Sequence, residues 1–216
     1  MTQYTISASF TSSVERTPRV LEMAESFGLG LTDKEFVIYD SLKLDVPQGS
    51  IVYINGQSGS GKSLLLRELT RHMREQGLKV ADLDEITFQD KPVLDHLGAT
   101  TAEALHLLAR AGISDAWIYI RKPSELSDGQ RYRLKLAMLL EQDADVWIAD
   151  EFGAVLDRVT AKVISFNLQK VARERGKTFM VATTHTDLID ELGPDLTIYK
   201  RFKERVDIIE KEKTDG

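Results

Sequence analysis

Apolar and polar positions follow two rhythms along the chain. Ile51–Asn55, Leu78–Leu83, Asp145–Ala149 and Lys177–Thr183 are short and mostly apolar, the pattern of strands covered on both faces. Between and beyond them, Lys62–Gln76, Ala102–Ala111, Ser127–Gln142 and Val159–Arg175 carry the helical repeat. Gly77, Gly112 and Gly176 stand where helices end. This alternation predicts an α/β fold with a parallel central sheet. The N-terminal part differs: Tyr4–Phe10 and Glu35–Val46 read as strands around a helix at Arg19–Phe27, an antiparallel flank. Residues 90–126 form a helical stretch, with an ambiguous strand at Trp117–Ile120, and read as an inserted lobe.

A length of 216 residues fits one domain over 1–216. The net charge of −6 argues against nucleic-acid binding over the whole surface, though a local basic patch stays open. The sequence has no cysteine, which excludes disulfides, a thiol nucleophile, Fe–S clusters and Cys-ligated zinc, and fits a reducing, cytoplasmic setting. Met1–Phe10 has no cationic stretch followed by an apolar run, so no signal peptide is expected. The longest apolar runs fall far short of the ~20 residues that span a bilayer, so no membrane segment of its own is expected.

Gly56-Gln57-Ser58-Gly59-Ser60-Gly61-Lys62-Ser63 fits G-x-x-x-x-G-K-[ST], after an apolar strand and before a helix opening at Leu64. Small residues let successive backbone N–H groups converge on phosphate oxygens, and the helix N-terminus adds positive potential there. Lys62 is expected to reach the β- and γ-phosphates, and Ser63 to ligate Mg²⁺. The motif indicates a nucleoside triphosphate. Asp145–Ala149 runs into Asp150-Glu151, at the strand end where ligands sit in parallel sheets. Asp150 suits Mg²⁺ through its water shell, and Glu151 suits the attacking water. An exposed acidic turn is the plainer alternative.

Leu126-Ser127-Asp128-Gly129-Gln130 precedes a strong helix. Ser127 and Gln130 have capping-box spacing, which by itself explains a well-started helix. The same helix start is also an anion site. At this point the chain resembles the ATP-binding-cassette (ABC) ATPases. Their signature is usually Leu-Ser-Gly-Gly-Gln, with Asp128 standing here for the first glycine. Gly129 lies 21 residues before Asp150. Val155-Leu156-Asp157 resembles the family's D-loop, His185 its switch histidine, and Gln89 after Ile86-Thr87-Phe88 its Q-loop glutamine.

The resemblance covers about residues 51–186. It implies a P-loop NTPase fold, ATP, and a head-to-tail homodimer that forms with ATP. It implies catalytic roles for Glu151, His185 and Gln89, nucleotide contacts from Gly56–Leu64, Ser127, Gly129, Gln130 and Asp157, and Mg²⁺ contacts from Ser63, Gln89 and Asp150. Each match has a plainer alternative. Gln89 could be a surface residue, His185 a cap or core histidine, and Asp157 a helix start. His72, His96 and His106 read as solvated or structural. The family's adenine-stacking aromatic lies upstream of the loop, where Phe27 and Phe36 both qualify.

The chain also departs from transporter subunits of the family. Gln89 follows Lys62 by 27 residues and Leu126 follows Gln89 by 37, both short intervals. The shortened lobe favours an engine acting on a soluble protein partner over a transporter subunit. It looks most like small stand-alone cassettes, loosely like those fused to acetyltransferase domains. A P-loop small-molecule kinase is the third reading, kept by Arg121, Arg131 and Arg133. The basic-aromatic stretch Tyr199–Arg205 reads as an exposed edge strand rather than a nucleic-acid site.

Overall fold

The structure is a computed structural model and describes residues 2–201 and 206–211. The chain opens with β1 (Thr2–Ser12), α1 (Pro18–Phe27) and β2 (Lys34–Val46). β1 and β2 pair antiparallel as a separate two-stranded sheet, from Gln3 opposite Asp45 to Thr11 opposite Glu35. Thr17 caps α1, and Gly28 ends it in the left-handed conformation at φ 64°. The predicted flank is therefore present, with the helix inserted between its strands.

Then follow β3 (Ile51–Gly56), α2 (Lys62–Glu75), β4 (Val80–Asp82), α3 (Thr101–Arg110), α4 (Ala116–Tyr119), α5 (Asp128–Glu141), β5 (Val146–Ala149), α6 (Arg158–Glu174), β6 (Thr178–Thr183), α7 (Ile189–Leu192), β7 (Leu196–Lys200) and β8 (Val206–Glu210). These strands form a six-stranded sheet in the order β4-β5-β6-β3-β7-β8. All neighbours are parallel except β7 and β8.

The sheet is buried on both faces, which is why its strands read as unbroken apolar runs. Alternate residues of β3 point to opposite cores. Ile51 and Tyr53 join Trp147, Phe179, Leu134 and Leu136 beneath α3, α5 and α6. Val52 and Ile54 join Ile148, Met180, Leu65 and Leu69 on α2, roofed by Tyr4, Ile6 and Tyr39 of the two-stranded sheet.

Three expectations are corrected. Trp117–Ile120 is not a strand: Ala116–Tyr119 is a helical turn started by Asp115, whose carboxylate accepts from Trp117 N at 2.9 Å. The strand expected over Leu78–Leu83 is only Val80–Asp82, because Leu83–Glu85 tightens into a 3₁₀ turn started by the Asp82 carboxylate. Tyr199–Lys200 does not belong to an exposed edge. β7 lies between β3 and β8, and Lys200 is buried with its ammonium 5.1 Å from the Tyr39 ring centre. β8 takes the edge, and residues 202–205 of that basic stretch lie outside the described residues.

Candidate functional site

The phosphate loop leaves the end of β3 and enters α2. Gly59 and Gly61 adopt φ of 72° and 104°, a region costly for side-chain-bearing residues. A Cβ at Gly56 would lie 2.3 Å from the Lys200 carbonyl oxygen, and one at Gly61 would lie 2.7 Å from Ile38 Cγ2. Glycine is thus required at both for close approach. The turn closes through Ser60 N donating to the Gln57 carbonyl at 3.2 Å. From outside, the Tyr39 hydroxyl donates to the Gly61 carbonyl at 2.9 Å. Lys62 is nearly buried, and its ammonium donates to the Gln57 carbonyl at 2.8 Å. Burial lowers its pKa, while Asp150 and Glu151 oppose the shift.

Ser63 and Asp150 line one cleft of about 710 Å³ between α2 and the end of β4, together with Arg67, Asp82 and Asp84. A hydroxyl and carboxylates are the hard oxygen donors that Mg²⁺ takes. The Ser60 hydroxyl is buried in the loop without a hydrogen-bond partner among the described residues. An orphaned donor inside a turn of glycine N–H groups matches a phosphate oxygen. These residues fit Mg²⁺ and a nucleoside triphosphate.

Glu151 follows Asp150 in the left-handed region, at φ 45°. A non-glycine residue there carries strain that its surroundings must hold. They do so at several points. Glu151 N donates to Asp150 Oδ1 at 2.8 Å, Phe152 N to the Ala182 carbonyl at 2.9 Å, and Gly153 N to the Tyr132 hydroxyl at 3.0 Å. Burial raises the pKa of Tyr132, so it remains a neutral phenol.

His185 follows β6. Its backbone carbonyl accepts from the Tyr53 hydroxyl and from Asn55 Nδ2, the latter at 2.8 Å. The last residues of β3 thereby tie the phosphate loop to the His185 turn. Asp157 caps α6, its Oδ1 accepting from Thr160 N at 2.9 Å. The Thr160 side chain, then its backbone N–H, holds the Asp157 carboxyl below the usual range. Asp157 is thus a helix start, as the plainer reading held, placed beside Arg158 and the His185 turn.

Ser127 and Gln130 form the expected capping box. Ser127 Oγ accepts from Gln130 N at 3.3 Å, and Gln130 Oε1 accepts from Ser127 N at 2.9 Å. Asp128 pairs with Arg131, one helical turn on. Gly129 packs on the Val155–Leu156 segment of the same chain: a Cβ there would lie 3.4 Å from the Val155 carbonyl oxygen. Ser127, Gly129 and Gln130 are not among the walls of the cleft that holds Ser63 and Asp150. Nor is Gln89. Its side chain is exposed, and its backbone N and O lie 3.2 and 3.1 Å from His96 Nε2.

Phe27 and Phe36 are both exposed, and Phe36 stacks on Phe10 at 5.1 Å, so neither is singled out for a base. Sequence reasoning passed over Tyr39, Asn55, Tyr132 and Arg158. Asn55 carried a signal, as a polar residue closing an apolar strand beside a glycine loop. The others meet their partners only through the fold.

A strand, a glycine loop and a helix at the centre of a parallel sheet, with an acid at the end of β5, the next strand but one, define a P-loop NTPase. The sequence profile of the ABC transporter family matches residues 39–154. An aliphatic sulfonates import ATP-binding protein from Rhodococcus jostii (strain RHA1) is 34% identical, over 83% of this chain and 79% of that protein. A phosphonates import ATP-binding protein from Lactococcus lactis subsp. cremoris (strain SK11) is 28% identical, over 81% and 84%. The dimeric structure of MJ0796, a bacterial ABC transporter cassette, superposes with a TM-score of 0.65 at 21% identity, over 83% of this chain and 94% of that one. This chain belongs to the ABC transporter family and is one of its ATPases.

Proposed function

We propose that this chain hydrolyses Mg-ATP as a head-to-tail homodimer and transmits the resulting motion to a protein partner through its helical lobe. The observation that carries the reading is the separation of two anion sites on one chain. Ser63, at the end of the phosphate loop, lines a cleft with Asp150, whereas the Ser127 helix start is not among the walls of that cleft. A second chain turned about a two-fold axis supplies the missing wall. Each ATP is then held by Gly56–Leu64 of one chain and by Ser127, Gly129 and Gln130 of the other, with Asp157 at the seam. That MJ0796 has a dimeric structure supports this arrangement.

Within the site, Lys62 offsets phosphate charge, and Ser63 and Asp150 hold Mg²⁺, with Gln89 approaching from the lobe. The metal, when bound, supplies charge neutralisation at the β- and γ-phosphates. Glu151 orients the attacking water and takes its proton, and His185 donates a hydrogen bond to the γ-phosphate. The products are ADP and inorganic phosphate. Free phosphate released from ATP without a phosphorylated small molecule supports this reading, while a phosphorylated acceptor points instead to a kinase.

A soluble partner is favoured by the short lobe. A second reading, the ATPase subunit of a membrane importer, is favoured by relatives described as import ATP-binding proteins. No described helix is long and apolar enough to cross a membrane, so in that case another chain provides the anchor. Co-purification from the native cell, with soluble and membrane fractions compared, separates the two.

A further inference from the structure

His185 Nδ1 lies 2.5 Å from the Arg158 guanidinium. Guanidinium nitrogens donate hydrogen bonds and accept none. Nδ1 must therefore present its lone pair, and the ring proton sits on Nε2. Nε2 is buried and faces the Gly153 backbone without a formed hydrogen bond. Arg158 is itself held in an ion pair with Asp187, two residues beyond His185. We propose that Arg158 is a positioning residue: braced by Asp187, it fixes His185 as the Nε2–H tautomer, with that proton facing the Gly153 backbone in the turn that carries Glu151.

The placement gives this contact a further consequence. Arg158 is the first residue of α6, directly after Asp157, the helix cap. Any movement of Asp157 when two chains close is transmitted to Arg158 through one peptide bond, and from there to His185. The D-loop and the switch histidine of one chain thus share a mechanical link through a side chain. Asp187 limits the penalty of setting a cation beside the ring. The charged and titratable groups around His185 are Arg158 on α6, Asp187 on its own turn, and the Tyr53 phenol on β3, which donates to the His185 carbonyl. Burial first, then the Arg158 charge, lowers the pKa of His185, the direction that keeps a neutral donor.

The inference rests on the proposed role of His185 toward the γ-phosphate, so His185→Ala is measured beside it. The test compares Arg158→Met and Arg158→Lys with the unaltered chain. The readouts are kcat and ATP affinity at several pH values, and the long-range proton–nitrogen spectrum of the four histidines, with His185→Ala identifying the resonance. Arg158 is partly exposed, so both variants are expected to fold.

Arg158→Met is expected to give mixed tautomers at His185 and to lower kcat about tenfold with ATP affinity nearly unchanged, since a positioned donor acts mainly in the transition state. Its acid limb moves to higher pH, because a nearby positive charge has been removed. Arg158→Lys keeps a donor-only cation and is expected to restore the Nε2–H tautomer and part of kcat. An unchanged tautomer or an unchanged kcat in Arg158→Met overturns the inference. A wild-type kcat in His185→Ala overturns instead the reading on which it rests.

Discussion

Gly153 N donates to the Tyr132 hydroxyl at 3.0 Å, which ties the helix following the signature to the turn that carries Glu151. Tyr132 sits on α5, packed against the apolar core, and its phenol meets the turn that follows the strained Glu151 backbone. The contact sits inside one chain and links the helix that begins after Ser127 to the Glu151 turn.

Tyr132→Phe keeps the ring and removes the hydroxyl. The Gly153 N–H then lacks its partner, which costs about 1–3 kcal/mol if it stays dry. The thermal midpoint is expected to fall by several degrees, and kcat to drop more than ATP affinity, as Glu151 loses a restraint. Calorimetry and steady-state kinetics on the same preparation check both.

Lys62→Ala is expected to weaken ATP binding, since it removes the ammonium at the phosphate loop. Glu151→Gln should leave binding intact and slow turnover about 10²–10⁴-fold, the usual loss of a positioned base. Equilibrium binding of ATP and single-turnover hydrolysis distinguish the two. Equal loss of binding in both variants would contradict the division of roles.

The Glu151→Gln chain with Mg-ATP is expected to sediment as a dimer, and with ADP as a monomer. The γ-phosphate is the only part of ATP that a second chain's Ser127 and Gly129 gain over ADP, so it alone shifts the association equilibrium. Ser127→Arg should abolish the dimer and spare ATP binding, because Ser127 lies off the cleft that contains Ser63. Coincident monomer profiles with ATP and ADP would sink the homodimer.

Stability should depend on pH through His185. Its pKa is lowered in the fold, by burial and then by Arg158, below the ordinary value of about 6.5. Between the folded value and about 6.5 the unfolded chain binds more protons, so stability rises with pH there. The contribution is complete above about pH 6.5 and is lost as pH falls through the folded value. Urea midpoints measured across this range should slope less in His185→Gln than in the unaltered chain.

The strands β3, β5 and β6 were legible because each is buried on both faces and so needs an unbroken apolar run. The phosphate loop was legible because its glycines answer to local backbone demands, the φ of Gly59 and Gly61 among them. Trp117–Ile120 misled because its bulky apolar residues favour strand, while the Asp115 cap starts a helical turn there. Lys200 misled because a lysine normally marks solvent. Here its stem is covered and its ammonium meets Tyr39, a residue 161 positions earlier.

By itself the sequence determined the α/β alternation, the phosphate loop, the Asp150-Glu151 strand end and the capped helix at Ser127. Each is set by residues within one turn or one strand of each other. Only the tertiary structure decided that Tyr39 braces Gly61, that Tyr53 and Asn55 hold the His185 carbonyl, and that Arg158 meets the His185 ring. Those partners come from separate elements, and the bonds from Tyr53 and Asn55 to His185 exist only once the sheet order has brought β3 beside β6.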